Sequence, residues 1–208
     1  MNSEAAIQSS NNLSNNSLDN FFKRSLNIIE TQTGSLPIIE YHDDWISPCH
    51  EGKAFLSEDM QHIIHWQPKK RDINKDLSGL EEALETKLHP DIKVFYTRYW
   101  SEQMEATFLS VDNPEEKGNL TLMFVCNDDD MERLIKNQIG HNFNKIRNKQ
   151  SLTIFIACTD SDYIISIEND SGHIVLERPG YAIEKVLADN LKDFLDQLDI
   201  SCPAADYS

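Results

Sequence analysis

Residues 152–177 read LTIFIACTDSDYIISIENDSGHIVLE. Leu152 to Cys158 is rich in β-branched residues and apolar at successive positions, the pattern of a central strand covered on both faces. Tyr163 to Glu168 and His173 to Glu177 flank Asn169-Asp170-Ser171-Gly172, whose turn chemistry predicts a hairpin. Three strands in succession, two of them joined by a tight turn, point to a largely antiparallel sheet.

Upstream, Asn127 is a cap for a helix over 128–147. Asp128-Asp129-Asp130 at its start and Lys145, Arg147 and Lys149 at its end both suit the helix dipole. Two further strands are expected at Met104 to Val111 and Leu120 to Cys126, joined by a turn from Asp112-Asn113-Pro114 through Gly118. Leu77, Leu80, Leu84 and Leu88 share one helical stripe. Pro90 then restarts the chain in a second helix, at a position where its missing N–H costs nothing. That helix presents Ile92, Phe95, Tyr96, Tyr99 and Trp100. Gln61 to Trp66 reads as a short strand ended by Gln67-Pro68. Residues 33–53, with Gly34, Pro37, Pro48 and Gly52, read as mostly irregular. A first helix is expected at 18–31, where Phe22, Leu26 and Ile29 recur at helical spacing and Ser17 can cap. Leu187, Leu191, Phe194, Leu195 and Leu198 predict a closing helix over 184–198.

This order does not alternate strand and helix regularly, so the expected class is α+β: a single domain with a mostly antiparallel or mixed β-sheet packed with helices. Residues 1–16, rich in Ser and Asn, read as a disordered N-terminal extension, 17–200 as the folded domain and 201–208 as a flexible tail.

The chain has 208 residues, 39% of them hydrophobic, which suffices for one core. Its charge is −16 at pH 7, from 35 acids against 19 Lys and Arg. Residues 101–208 carry most of the excess, 20 acids against 9 bases. Phosphate backbones and anionic headgroups repel such a chain, so neither nucleic-acid binding nor lipid insertion is expected, and a basic partner is the electrostatic complement. Four scattered cysteines without a Cys-x-x-Cys pair suit a reducing compartment. The N-terminus lacks the basic start and apolar core of a secretory leader, and no apolar stretch is long enough to span a bilayer. A cytoplasmic protein is expected.

Catalytic chemistry finds no residue set. There is no Gly-x-Ser-x-Gly elbow and no glycine-rich phosphate loop, while Cys126 and Cys158 lie in apolar strand patterns. His62 and His65 would point to opposite faces of a strand and cannot share an ion. Cys49-His50 is only a fragment of a metal site, with no third ligand at a recognised spacing. His141 reads as a hydrogen-bonded packing residue. No enzyme, metal or cofactor is expected.

Asp128, Asp129 and Asp130 with Glu132 form the densest acidic run, although acids in a first helical turn are favoured by the dipole alone. Glu81, Glu82 and Glu85 are the next group. Trp66, Tyr96, Tyr99 and Trp100 read as core, with Trp66 kept as a candidate groove anchor.

Ser47-Pro48-Cys49, Trp66-Gln67-Pro68, Phe95-Tyr96-Thr97, Ile139-Gly140-His141, Thr153 to Ala157, the Asn169 to Gly172 turn and the segment Leu187 to Leu198 follow one another as they do in a known family. Over roughly 18–198 the chain resembles the SecY-interacting Syd family. It departs from that pattern in its Ser/Asn-rich start, the longer Asp112 to Gly118 loop and the tail after Asp199. The resemblance implies a SUKH-like fold and a protein held peripherally on the cytoplasmic face of the inner membrane. There its acidic surface would bind the basic cytoplasmic loops of SecY in the SecYEG translocon, in quality control or assembly monitoring. On that basis Asp128, Asp129, Asp130, Glu132, Glu81, Glu82, Glu85 and Trp66 are the candidate SecY-binding residues. The SUKH group includes toxin-immunity proteins, so neutralisation of a basic toxin is the alternative, and the oligomeric state stays open.

Overall fold

The computed structural model describes residues 3–72, 77–109 and 117–200. The quoted stretch forms β8 (Thr153–Thr159), β9 (Ile164–Glu168) and β10 (Ile174–Glu177). Register places Ile154 opposite Ile167, and Ile167 opposite Ile174. These three isoleucines cross three strands in one fully buried row. Cross-strand pairs of β-branched side chains are the unit of sheet stabilisation, which is why this segment nucleates the architecture. In the turn Gly172 adopts φ +78°, a region open to glycine, and its N–H donates to the Glu168 carbonyl at 2.9 Å.

The sheet grows from this centre to seven antiparallel strands. On one side come β7 (Lys117–Leu122), β6 (Met104–Leu109) and the short β12 (Asp199–Ile200). On the other side β11 (Ile183–Ala188) pairs with β10 as the edge. A second sheet of three strands has β3 (His62–Trp66) between β1 (Ile38–Glu40) and β2 (His50–Leu56). Two short strands, β4 (Lys69–Lys70) and β5 (Tyr99–Trp100), pair separately. The helices are α1 (Ser3–Thr33), α2 (Ser78–Ala83), α3 (Pro90–Thr97), α4 (Asp128–Arg147) and α5 (Leu191–Gln197). The chain is therefore α+β with antiparallel sheets, as expected.

Helix α1 packs against α3 and α5. Leu18, Phe21 and Phe22 join Phe95, Phe124, Leu191 and Phe194 in the same core as the isoleucine row. Phe95 stacks on Phe124 at 4.6 Å between ring centroids. Burial of each such side chain contributes about 1.5–3 kcal/mol. Helix α4 meets the sheet at β8 through a different chemistry, since Gln138, Asn142 and Lys145 are all buried on its inner face.

Several local expectations are revised. The closing helix over 184–198 divides into β11 and α5, because Asn190 breaks the helical path. Its backbone is extended, and its side chain caps α5 by accepting the Asp193 N–H at 2.9 Å. Tyr99 and Trp100 leave the second helix for β5, and the strand expected to reach Cys126 ends at Leu122. The segment read as irregular holds β1 and most of β2, whose apolar content is too thin to signal strands without β3 between them. The described first helix runs Ser3–Thr33, starting before the expected residue 18. At its described side chains Ser14 donates to buried Asp91, and Arg98 donates to Asn15 at 2.8 Å. The 201–208 tail and most of the Asp112 to Gly118 loop lie outside the described residues.

Candidate functional site

Helix α4 begins where the core strands end. Asn127 has extended backbone, its Oδ1 accepts the Asp130 N–H at 2.8 Å, and its Nδ2 donates to the Ile46 carbonyl at 3.1 Å. Ser47 Oγ donates to the Cys126 carbonyl at 2.6 Å. These two bonds pin the segment before β2 against the start of α4. The Arg133 guanidinium lies 5.2 Å from the centre of the Trp45 ring, a cation–π contact that fixes the indole half-buried. Ile46, next in the chain, is 62% exposed.

The three aspartates divide at this point. Asp128 and Asp129 are exposed, while Asp130 turns inward. Its carboxylate accepts the Cys126 N–H at 3.1 Å and Arg133 at 2.7 Å, so it braces the helix start. Burial disfavours the charge on Arg71, just after β4, and Asp128 opposes that effect. Glu132 stays on the surface beside Lys136, 3.7 Å away. Asp43 and Asp44 are exposed in the segment that carries Trp45. The fold thus sets Trp45 and Ile46 against the start of α4, with Asp43 and Asp44 just before them in the chain.

The second acidic group divides in the same way. Glu81 is buried and accepts the Leu88 N–H at 2.9 Å, Lys87 at 2.9 Å and Lys93 at 2.6 Å. Burial alone would raise its carboxyl, but Lys93, the Leu88 amide and Lys87 outweigh it and hold the group at about 2. Glu82 and Glu85 are exposed, on and just after α2, which packs against α4. Trp66 is a core residue at 4% exposure, so the structure gives no surface for the anchor proposed from sequence. The indole beside the acids is Trp45.

Among the histidines, His141 Nε2 lies 3.0 Å from Thr153 Oγ1 on the buried face of α4, a packing role. His62 is exposed, and His65 Nδ1 lies 3.1 Å from the Leu36 carbonyl. Cys49-His50 acquires a third group that spacing could not reveal: Glu102 Oε1 lies 2.9 Å from His50 Nε2.

Residues 15–199 match the family model described as Syd protein (SUKH-2). The chain belongs to the Syd family. Curated Syd proteins share the similarity over most of both chains. The relative from Pseudoalteromonas atlantica is 36% identical over 186 residues, covering 89% of this chain and 95% of that one. That from Psychromonas ingrahamii is 36% identical over 189 residues, covering 90% and 96%. That from Yersinia pestis is 35% identical over 184 residues, covering 87% and 92%. Family membership accounts for the fold class read from the sequence. No helix among the described residues is long and apolar enough to cross a membrane.

Proposed function

We propose that this chain is a non-enzymatic binding protein that uses its acidic surface to engage the basic cytoplasmic loops of SecY. It would sit peripherally on the cytoplasmic face of the inner membrane through that partner and take part in monitoring the translocon. The observation that carries the reading is the surface beside α4, where exposed Asp128, Asp129 and Glu132 share the helix start with Arg133, which holds the half-buried Trp45, and exposed Asp43 and Asp44 precede that indole in the chain. Family membership and a charge of −16 support the same direction.

Exposed carboxylates paired with Lys or Arg contribute about 0–1 kcal/mol each, so several must act together. Such a surface speeds encounter with a basic loop and is screened by salt. Trp45 supplies the apolar contact that acids alone lack. Glu82 and Glu85 extend the acidic area, while Asp130, Glu81 and Trp66 support it from inside.

The test is capture of SecYEG in nanodiscs by the purified protein at low and high salt, with Asp128→Asn/Asp129→Asn and Trp45→Ala variants alongside. Salt-sensitive capture that weakens at least tenfold in both variants is expected. Absence of capture at either salt overturns the partner, and undiminished capture by both variants overturns the site.

A further inference from the structure

Cys49 precedes β2, His50 opens it, and Glu102 lies in the link from β5 to β6. The Cys49 side chain is wholly buried, and those of His50 and Glu102 are 8% and 12% exposed. His50 Nε2 is 2.9 Å from Glu102 Oε1, and Cys49 Sγ is 3.8 Å from the same oxygen. One thiol sulfur, one imidazole nitrogen and one carboxylate oxygen lie within 4.8 Å of one another.

We propose that Cys49, His50 and Glu102 form a binding site for a zinc-like divalent cation. A tetrahedral ion bonded at about 2.3 Å to sulfur and about 2.0–2.2 Å to nitrogen and oxygen holds its ligand atoms roughly 3.3–3.6 Å apart. The separations of 2.9 and 3.8 Å lie on either side of that range, and the third is no more than 4.8 Å, so the three groups are gathered around one point that modest side-chain shifts would close on an ion. A thiolate with an imidazole and a carboxylate selects zinc-like ions over magnesium or calcium, which prefer all-oxygen shells. Three protein ligands leave one position of a tetrahedral ion unfilled.

The surroundings favour a cation. Asp130 adds negative charge near Glu102. Ser47 Oγ lies 2.8 Å from the Cys49 sulfur. Loading releases the thiol proton. His50 Nδ1 faces the Ser47 N–H at 3.4 Å, which places the ring proton on Nε2, toward Glu102. On loading that proton moves to Nδ1 and the long Ser47 contact is given up. The same groups do not make a cysteine nucleophile, because the thiol is sealed from solvent and the imidazole is engaged by the carboxylate instead.

The test titrates the reduced full-length protein with Co²⁺ as an optical probe, followed by displacement with Zn²⁺. One equivalent with thiolate-to-cobalt charge-transfer absorption is expected. That absorption should be unchanged in a Cys158→Ser/Cys202→Ser variant and absent in Cys49→Ser. His50→Gln and Glu102→Gln should each weaken affinity at least tenfold, with far-UV circular dichroism confirming the fold. Absence of the charge-transfer band overturns the proposal, as does a band that persists in folded Cys49→Ser. If Cys49→Ser does not fold, unchanged affinity in both His50→Gln and Glu102→Gln overturns it.

Discussion

Lys145 on α4 and Glu177 on β10 form an ion pair with both side chains entirely removed from water. Thr153 Oγ1 donates to the same carboxylate at 2.6 Å, and His141 Nε2 lies 3.4 Å from it. This polar cluster docks the C-terminal half of α4 onto the sheet. Breaking one partner of a buried pair strands the other charge, whereas replacing both with apolar groups of similar size is often close to neutral. Lys145→Met is therefore expected to lower the unfolding free energy by about 3–5 kcal/mol. Lys145→Met/Glu177→Leu should recover much of that loss in urea denaturation, and a double variant worse than the single one would refute the arrangement.

The same carboxylate makes stability fall in acid. Burial alone would raise Glu177, but His141 and Lys145 outweigh it and lower the group from 4.5 to about 2. The bond to Arg98 lowers Asp19 from 3.8 to about 2 against its partial burial. Both groups release their protons more readily when folded, so their contribution is present above the unfolded values and lost as pH falls toward 2. Urea midpoints should drop through that window, and the drop should be shallower in Glu177→Gln. A midpoint that is flat over the window would contradict the assignment.

Asp130→Ala is expected to cost about 1–3 kcal/mol, because the buried Cys126 N–H loses its acceptor and Arg133 its partner. Asp129→Asn, which changes an exposed group, should stay within about 0.5 kcal/mol of the parent, and Asp128→Asn, which removes a charge that offsets the burial of Arg71, should cost less than Asp130→Ala. Thermal melts of the three variants separate the bracing acid from the two surface acids.

Gly172→Ala combines two penalties. The residue sits at φ +78°, and an added Cβ meets the His89 ring. That ring caps α3 by accepting the Asp91 N–H at 3.2 Å, so displacing it also frees a helix start. Left-handed backbone costs about 1 kcal/mol and a lost cap about 1 more, giving roughly 2 kcal/mol in chemical denaturation. A neutral result would show that the His89 ring can move without losing the cap.

Much of the fold was legible because its signals are local. β-branching, a continuous apolar run and the Asn169 to Gly172 turn located β8 to β10, and Asn127 with three aspartates placed the start of α4 at Asp128. The closing segment misled because Leu187, Leu191 and Leu198 keep helical spacing while Asn190 caps a new helix between them. The acids of the candidate site were visible as a cluster. Which of them reach solvent was not, since Asp130 and Asp128 differ only in what the folded chain brings to their side chains.

The sequence by itself determined the strand order of the hairpin region, the extent of the long helix and the sign of the surface charge, all set by neighbours along the chain. Only the tertiary structure decided that Trp45 lies beside the acids while Trp66 is sealed in the core, that Lys145 is buried against Glu177, and that Glu102 meets Cys49 and His50. Those outcomes depend on contacts between residues far apart in the sequence, where burial and charge pairing are fixed by packing and leave no local periodicity to read.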